Sequence, residues 1–188
     1  MSHIDEEKRA LRQHIKMLKS GQSREEKLKR SQKVMAQVEE LSAFKNAKTV
    51  VLYWALKDEV YTQNFIRKWY EQKLILLPCT VKNEIVLRPY NGDQQMKVNP
   101  TFGIEEPITE IFTDYQCIDL VIVPGVAFDR SNNRLGRGRA FYDRFLLRTN
   151  AFKLGICFSF QFFDKIPVDE NDIKMDAVIL DAPLNNLK

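Results

Sequence analysis

The chain has 188 residues, enough to bury a substantial core and within the size range of one domain. Hydrophobic residues make up 44% and charged residues 29%, which excludes a disordered or low-complexity chain. The 29 Lys and Arg against 25 Asp and Glu leave a net charge of +4, which suits an anionic ligand, or equally a mildly basic surface without a purpose, and falls short of a nucleic-acid binder's charge density.

The amino-terminal run MSHIDEEKRALRQ is charged and has no apolar signal core, and the longest apolar run, residues 50–56, is too short for a bilayer. Neither export nor membrane insertion is expected. Cys79, Cys117 and Cys157 are odd in number, far apart and without a C-x-x-C pair, and they read as reduced, buried thiols of a cytoplasmic protein.

In chain order, Ile4, Leu11, Ile15 and Leu18 fall on one stripe of a helix over residues 3–19, which Gly21 stops. Ser23-Arg-Glu-Glu26 has capping-box form and opens a second helix carrying Leu28, Val34, Val38 and Leu41. Residues 49–55 read as a buried strand, 62–72 as a helix and 73–78 as a strand, which make a βαβ unit. A short strand over 84–88 precedes a long irregular excursion marked by Asn91-Gly92-Asp93, Asn99-Pro100 and Glu106-Pro107. Residues 119–124 form a buried strand, 141–148 a helix, and 153–160 and 177–180 two more strands. The alternation predicts a single α/β domain over 1–188, with three layers and a mostly parallel sheet flanked by helices.

In open α/β sheets ligands sit beyond the carboxyl ends of the strands. The strand at 119–124 runs into PGVAFDRSNNRLGRGRAFYDRFL, where Arg134, Arg137 and Arg139 alternate with Gly136 and Gly138 just before a helix. Backbone N–H groups, a helix amino terminus and guanidinium forks together suit a polyphosphate. A bare G-R-G would read as a polar turn with solvated arginines; three arginines around two glycines at a strand end favour phosphate. Asp143 lies one turn beyond Arg139, close enough for a metal bridging phosphate oxygens. Asp169, Asp172 and Asp176 supply further carboxylates before the last strand, a cluster that by itself also fits a solvated, capped loop. Lys8 falls inside the apolar stripe of the first helix, with Arg12 one turn on, either as a pair of cations on one edge or as a snorkelling lysine.

The run PGVAFD…RLGRGRAFYD resembles the signature of the 5-formyltetrahydrofolate cyclo-ligases, in which PG-x-x-FD leads to RLGRGKGYYD. The resemblance extends to Lys8-x-x-x-Arg12, Asp58-Glu59-Val60-x-Thr62, Gly103-Ile104-x-Glu106-Pro107 and Glu170-Asn171-Asp172-x-Lys174-x-Asp176. It implies an α/β enzyme that uses ATP and Mg²⁺ to cyclise 5-formyltetrahydrofolate to 5,10-methenyltetrahydrofolate. Carried onto this chain, it puts ATP on Lys8, Arg12, Arg134, Leu135, Gly136, Arg137, Gly138, Arg139, Ala140, Phe141 and Tyr142, with Arg137 and Arg139 catalytic. It puts Mg²⁺ on Asp143 and Asp172, and the folate on Trp54, Glu59 and Phe102. On residues alone Trp54 reads as a core aromatic and Phe102 equally as a loop anchor.

Several positions depart from the family pattern. Arg139 stands for a lysine, trading a point donor for a fork. Ala140 stands for a glycine, so a backbone needing positive φ there would be strained, and Asn132 replaces another glycine more gently. Phe141 replaces a tyrosine and lacks its hydroxyl.

The implied scheme draws all its nucleophiles from the substrate, so the protein has mainly to position groups and neutralise charge. Consistently, the only histidines, His3 and His14, lie in the first helix, and no Ser/His or Cys/His pairing is suggested. A non-catalytic nucleotide-binding regulator would keep the arginine loop but could dispense with the carboxylates and folate contacts. An RNA-binding module fits poorly, because the aromatics are not interleaved with arginines on a sheet face. The expected partner is a small-molecule folate, with neither nucleic acid nor membrane, and a monomer is expected.

Overall fold

The computed structural model describes residues 3–82, 84–101 and 103–182. Helix α1 (His3–Ser20) is followed by α2 (Arg24–Glu40), whose capping box forms as expected: Glu26 N–H donates to Ser23 Oγ at 3.2 Å and Ser23 N–H to Glu26 Oε2 at 3.0 Å. A cap of this kind is worth about 1 kcal/mol. A short α3 (Ser42–Asn46) links it to the sheet.

The buried line of α1 is Lys8, Ile15 and Lys19, with Leu11 and Arg12 half-buried, while Ile4 and Leu18 are exposed. The expected apolar stripe is thus rotated. The two lysines can occupy inward positions because both find carboxylate partners across the chain, at Asp169, Asp172 and Asp58.

The sheet strands are β1 (Thr49–Val51), β2 (Leu74–Val81) and β3 (Glu84–Pro89), with α4 (Gln63–Trp69) between the first two. A small hairpin of β4 (Met96–Val98) and β5 (Glu105–Pro107) gives structure to the excursion that reads as irregular. Then come β6 (Leu120–Pro124), β7 (Ala127–Asp129), β8 (Arg134–Leu135), α5 (Phe141–Leu146), β9 (Phe152–Cys157), β10 (Phe162–Phe163) and β11 (Ala177–Leu180). The central order is β11-β9-β6-β1-β2-β3, parallel throughout except for β3, which is antiparallel to β2. A second sheet has the order β10-β7-β8.

Alternation along the strands divides the core. Val50, Leu52, Ile75, Leu77, Leu120 and Ile122 pack with Val34, Phe44 and Ile66 from α2, α3 and α4. Val51, Leu76, Val121 and Val123 point the other way, against Tyr115, Phe145 and Leu146. Strands buried on both faces are what a mostly parallel, three-layer sheet requires. Cys79 and Cys157 are buried as expected, but Cys117 is exposed. It ends a one-turn helix, Tyr115–Cys117, whose inward place is taken by Tyr115.

From β1 the chain moves to β2 on one side, while β6 lies on the other. The order therefore reverses between β1 and β6, and the segments leaving their carboxyl ends flank the place where such sheets bind ligands.

Candidate active site

The segment after β6 is held by its own packing and hydrogen bonds. Asp129 is 0% exposed. Its Oδ1 accepts from the amides of Ser131 (2.9 Å) and Asn133 (3.0 Å), and its Oδ2 from Asn133 Nδ2 (2.9 Å) and the amide of Ile166 (3.1 Å). The Phe128 ring fills the space that side chains at Gly125 and Gly155 would need; a Cβ at either would lie 2.5 Å from a ring carbon. Together these contacts account for the P-G-x-x-F-D pattern by packing and hydrogen bonding.

Asn132 has φ 61° and Ala140 φ 50°, both in the left-handed region, so the two replaced glycines fall where positive φ is used. For alanine this costs about 1–2 kcal/mol, part of which glycine would return as backbone entropy. Ala140→Gly should therefore stabilise the chain by up to about 1 kcal/mol, raising the melting midpoint by roughly 2–4 °C. A lowered midpoint would show that the loop does not hold Ala140 under strain.

Lys8 and Arg12 of α1, expected on the nucleotide, and Asp172, expected on the metal, are not among the residues that line the cavity described below; they stand beside it. Lys8 Nζ donates to Asp169 Oδ2 and Asp172 Oδ2, both at 2.5 Å, with its side chain only 6% exposed. Lys8 is therefore a buried ion-pair centre and does not snorkel. Burial opposes its charge, but the two carboxylates outweigh it and raise its pKa, while the Lys8 bond holds Asp169 below the ordinary Asp value. This cluster's contribution is complete between the ordinary Asp and Lys values. It is lost as pH falls through the lowered Asp169 value or rises through the raised Lys8 value. Arg12 Nε donates to the Gly136 carbonyl at 2.9 Å and tethers the loop to α1.

Within the loop, Arg134 is buried and donates to Asp143 Oδ1 at 2.7 Å and to the Pro124 carbonyl at 3.3 Å. Leu135 is buried in the small core beneath α1, so only its backbone can meet a ligand. Arg137 donates to Asp58 Oδ1 at 2.8 Å and to Glu59 Oε1 at 2.9 Å. The Arg139 guanidinium lies 6.0 Å from the centre of the Phe141 ring. Asp143 Oδ1 also accepts from the Ile173 amide at 3.4 Å, which brings Asp143 beside the segment carrying Asp172. Among the described residues, the bonds that Asp143 accepts fall on Oδ1 and those of Asp172 on Oδ2. No cluster of three or more potential metal ligands occurs among the described residues. A pair of carboxylates is nonetheless within the usual protein contribution to Mg²⁺, which keeps waters and phosphates for the rest.

The opposite wall comes from the segment after β1 and from the hairpin. Trp54 Nε1 donates to Glu105 Oε2 at 3.0 Å, and its ring lies 5.7 Å from Tyr90 and 5.2 Å from the Arg67 guanidinium. Glu59 Oε2 accepts from the Leu56 amide at 3.0 Å. Glu106 accepts from the Thr80 amide and from Asn99 Nδ2. Loop and wall line one cavity of about 320 Å³, which includes Trp54, Glu59, Glu106, Arg134, Arg137 and Asp143. Phe102, expected on this wall, lies outside the described residues. Two buried atoms of cavity-lining residues, Tyr142 Oη and Arg134 Nε, have no hydrogen-bond partner among the described residues. Burial and then the Glu59 carboxylate push the Tyr142 pKa well above the ordinary value, so the hydroxyl stays a donor. Buried donors of this kind cost about 1–3 kcal/mol each unless an acceptor meets them, and a ligand rich in oxygens supplies one.

Fold and site define a mostly parallel α/β protein whose arginine-glycine loop faces an aromatic and acidic wall across the sheet's switch point. The family model described as "5-formyltetrahydrofolate cyclo-ligase family" matches residues 4–181. A 5-formyltetrahydrofolate cyclo-ligase of Mus musculus is 28% identical over 96% of this chain and 97% of its own. A probable 5-formyltetrahydrofolate cyclo-ligase of Schizosaccharomyces pombe is 32% identical over 78% of this chain and 81% of its own. Among solved structures, the 5,10-methenyltetrahydrofolate synthetase of Aquifex aeolicus superposes with a TM-score of 0.85 at 34% identity, covering 94% of this chain and 90% of that one. The chain belongs to the 5-formyltetrahydrofolate cyclo-ligase family.

Asp58, Glu106 and Asp129 entered the sequence reading only as letters of motifs, without a role. Asp129 gave a signal in the F-D pair; Asp58 becomes meaningful only through Lys19 and Arg137, and Glu106 through Thr80 and Asn99.

Proposed function

We propose that this chain cyclises 5-formyltetrahydrofolate to 5,10-methenyltetrahydrofolate, using ATP and Mg²⁺ and releasing ADP and phosphate. The observation that carries this reading is the single cavity lined both by the arginine loop and by Trp54 and Glu59. A formyl group on nitrogen is an amide, and its oxygen leaves poorly. In the reading, that oxygen takes the γ-phosphoryl group of ATP, nitrogen 10 closes the ring on the formyl carbon, and phosphate departs with the formyl oxygen. The protein contributes position and charge.

Arg137 and Arg139 neutralise charge on the transferring group, while Lys8, Arg12 and the loop from Arg134 to Tyr142 hold the nucleotide, Leu135 through its backbone. Trp54, Glu59 and Phe102 take the folate. Asp143 and Asp172 hold Mg²⁺, which when bound offsets phosphate charge. The proximity of the Ile173 amide to Asp143, and the second oxygen left to each carboxylate, support that pairing. We place this work in the cytoplasm, in a monomer acting on a small molecule. No helix among the described residues is long and apolar enough to cross a membrane.

The test is phosphate release from ATP with and without added 5-formyltetrahydrofolate, alongside the absorbance of the methenyl product. Folate-dependent release matched by product is expected. ATP binding without it would instead indicate a non-catalytic nucleotide-binding regulator. Asp172→Asn should raise the half-saturating Mg²⁺ concentration for activity; an unchanged value would remove Asp172 from the metal site and leave it as the partner of Lys8.

A further inference from the structure

Arg137 cannot serve phosphate and carboxylates equally at once. Its guanidinium donates to Asp58 Oδ1 at 2.8 Å and to Glu59 Oε1 at 2.9 and 3.3 Å. Asp58 is itself anchored, because Oδ2 accepts at 3.0 Å from Lys19 Nζ, whose side chain is 8% exposed on the inner face of α1. The chain of charges therefore runs Lys19, Asp58, Arg137, Glu59, from α1 to the wall that carries Trp54 and Glu59. Arg137 is its most exposed member at 49%, and Glu59 is nearly enclosed at 9%.

We infer that Asp58 is a positioning residue, which with Glu59 holds Arg137 on the folate-facing wall until one substrate releases it for the other. This rests on the proposed function for the identity of the two substrates. A folate whose N–H groups engage Glu59 displaces one partner of Arg137 and leaves it freer for nucleotide phosphate. Nucleotide that draws Arg137 away uncovers Glu59 for folate. Each substrate then tightens the other by the same factor, as linkage demands. Asp58 touches neither substrate and sets the size of the factor through its hold on Arg137.

The experiment is calorimetric titration of the full chain with Mg²⁺ and a non-hydrolysable ATP analogue, with and without saturating 5-formyltetrahydrofolate. Wild type should bind the analogue about two- to fivefold tighter when folate is present, the range expected for loss of a partly exposed ion-pair partner. Asp58→Asn keeps the shape and an acceptor oxygen for Lys19. It should bind the analogue tighter than wild type in the absence of folate, and folate should then add little. A purely structural Asp58 would lower both affinities together and leave their ratio unchanged, which overturns the inference. The wild-type arm decides without the variant: equal analogue affinity with and without folate also overturns it. A chain that binds neither ligand contradicts the functional reading and this inference with it, whereas binding of both without coupling contradicts this one alone.

Discussion

Arg137→Ala should lower kcat/KM by about a hundredfold or more, the usual consequence of removing a preorganised donor from a developing charge. Stability should fall much less, by about 1–2 kcal/mol, since Asp58 keeps Lys19 and the nearly enclosed Glu59, though it loses its ion-pair partner, keeps the Leu56 amide. The contrast is the point. Thermal midpoint and steady-state kinetics measured on one preparation separate the two roles. A loss of stability comparable with the loss of activity would make Arg137 a structural tie between the loop and the wall.

The reverse pattern is expected at Asp129. Asp129→Ala removes one fully buried carboxylate on which three backbone amides and the Asn133 side chain converge. Unsatisfied buried donors cost about 1–3 kcal/mol each, and some will find water once the turn loosens, so a net loss of about 3–5 kcal/mol is expected. At 2–4 °C per kcal/mol for a chain of this size, the midpoint falls by roughly 10 °C. Denaturation followed by circular dichroism measures this directly. A loss under about 1 kcal/mol would mean that the segments at 131–133 and 166 hold their places without this carboxylate.

What the sequence made legible was local or periodic. The Ser23 and Glu26 side chains cap within one turn, and that box forms as read. The strands at 49–51 and 120–124 lie within the apolar runs that announce them, because burial on both faces demands continuous hydrophobicity, and the half-buried edge strand at 177–180 lies in a short apolar run of its own. Lys8 stood out against its apolar neighbours, and it is buried. Its partners, however, lie 161 and 164 residues away, and nothing local marks Asp169 or Asp172 as reaching α1. The same holds for Arg137 with Glu59 and for Trp54 with Glu105, pairs fixed by the strand order. The hairpin of β4 and β5 escaped because three-residue strands carry too few positions for alternation to register. Ala140 is the converse case: resemblance flagged it as replacing a glycine, and its backbone is left-handed.

The central claim is that the formyl oxygen, poised between the Trp54 and Glu59 wall and the arginine loop, is the atom that takes the phosphoryl group. A heavy-oxygen label placed in the formyl group of 5-formyltetrahydrofolate follows that atom through one turnover with ATP and Mg²⁺. Mass spectrometry should find the label in the released inorganic phosphate, one labelled oxygen for each methenyl product formed. Label recovered in water, with phosphate carrying none, would contradict the account.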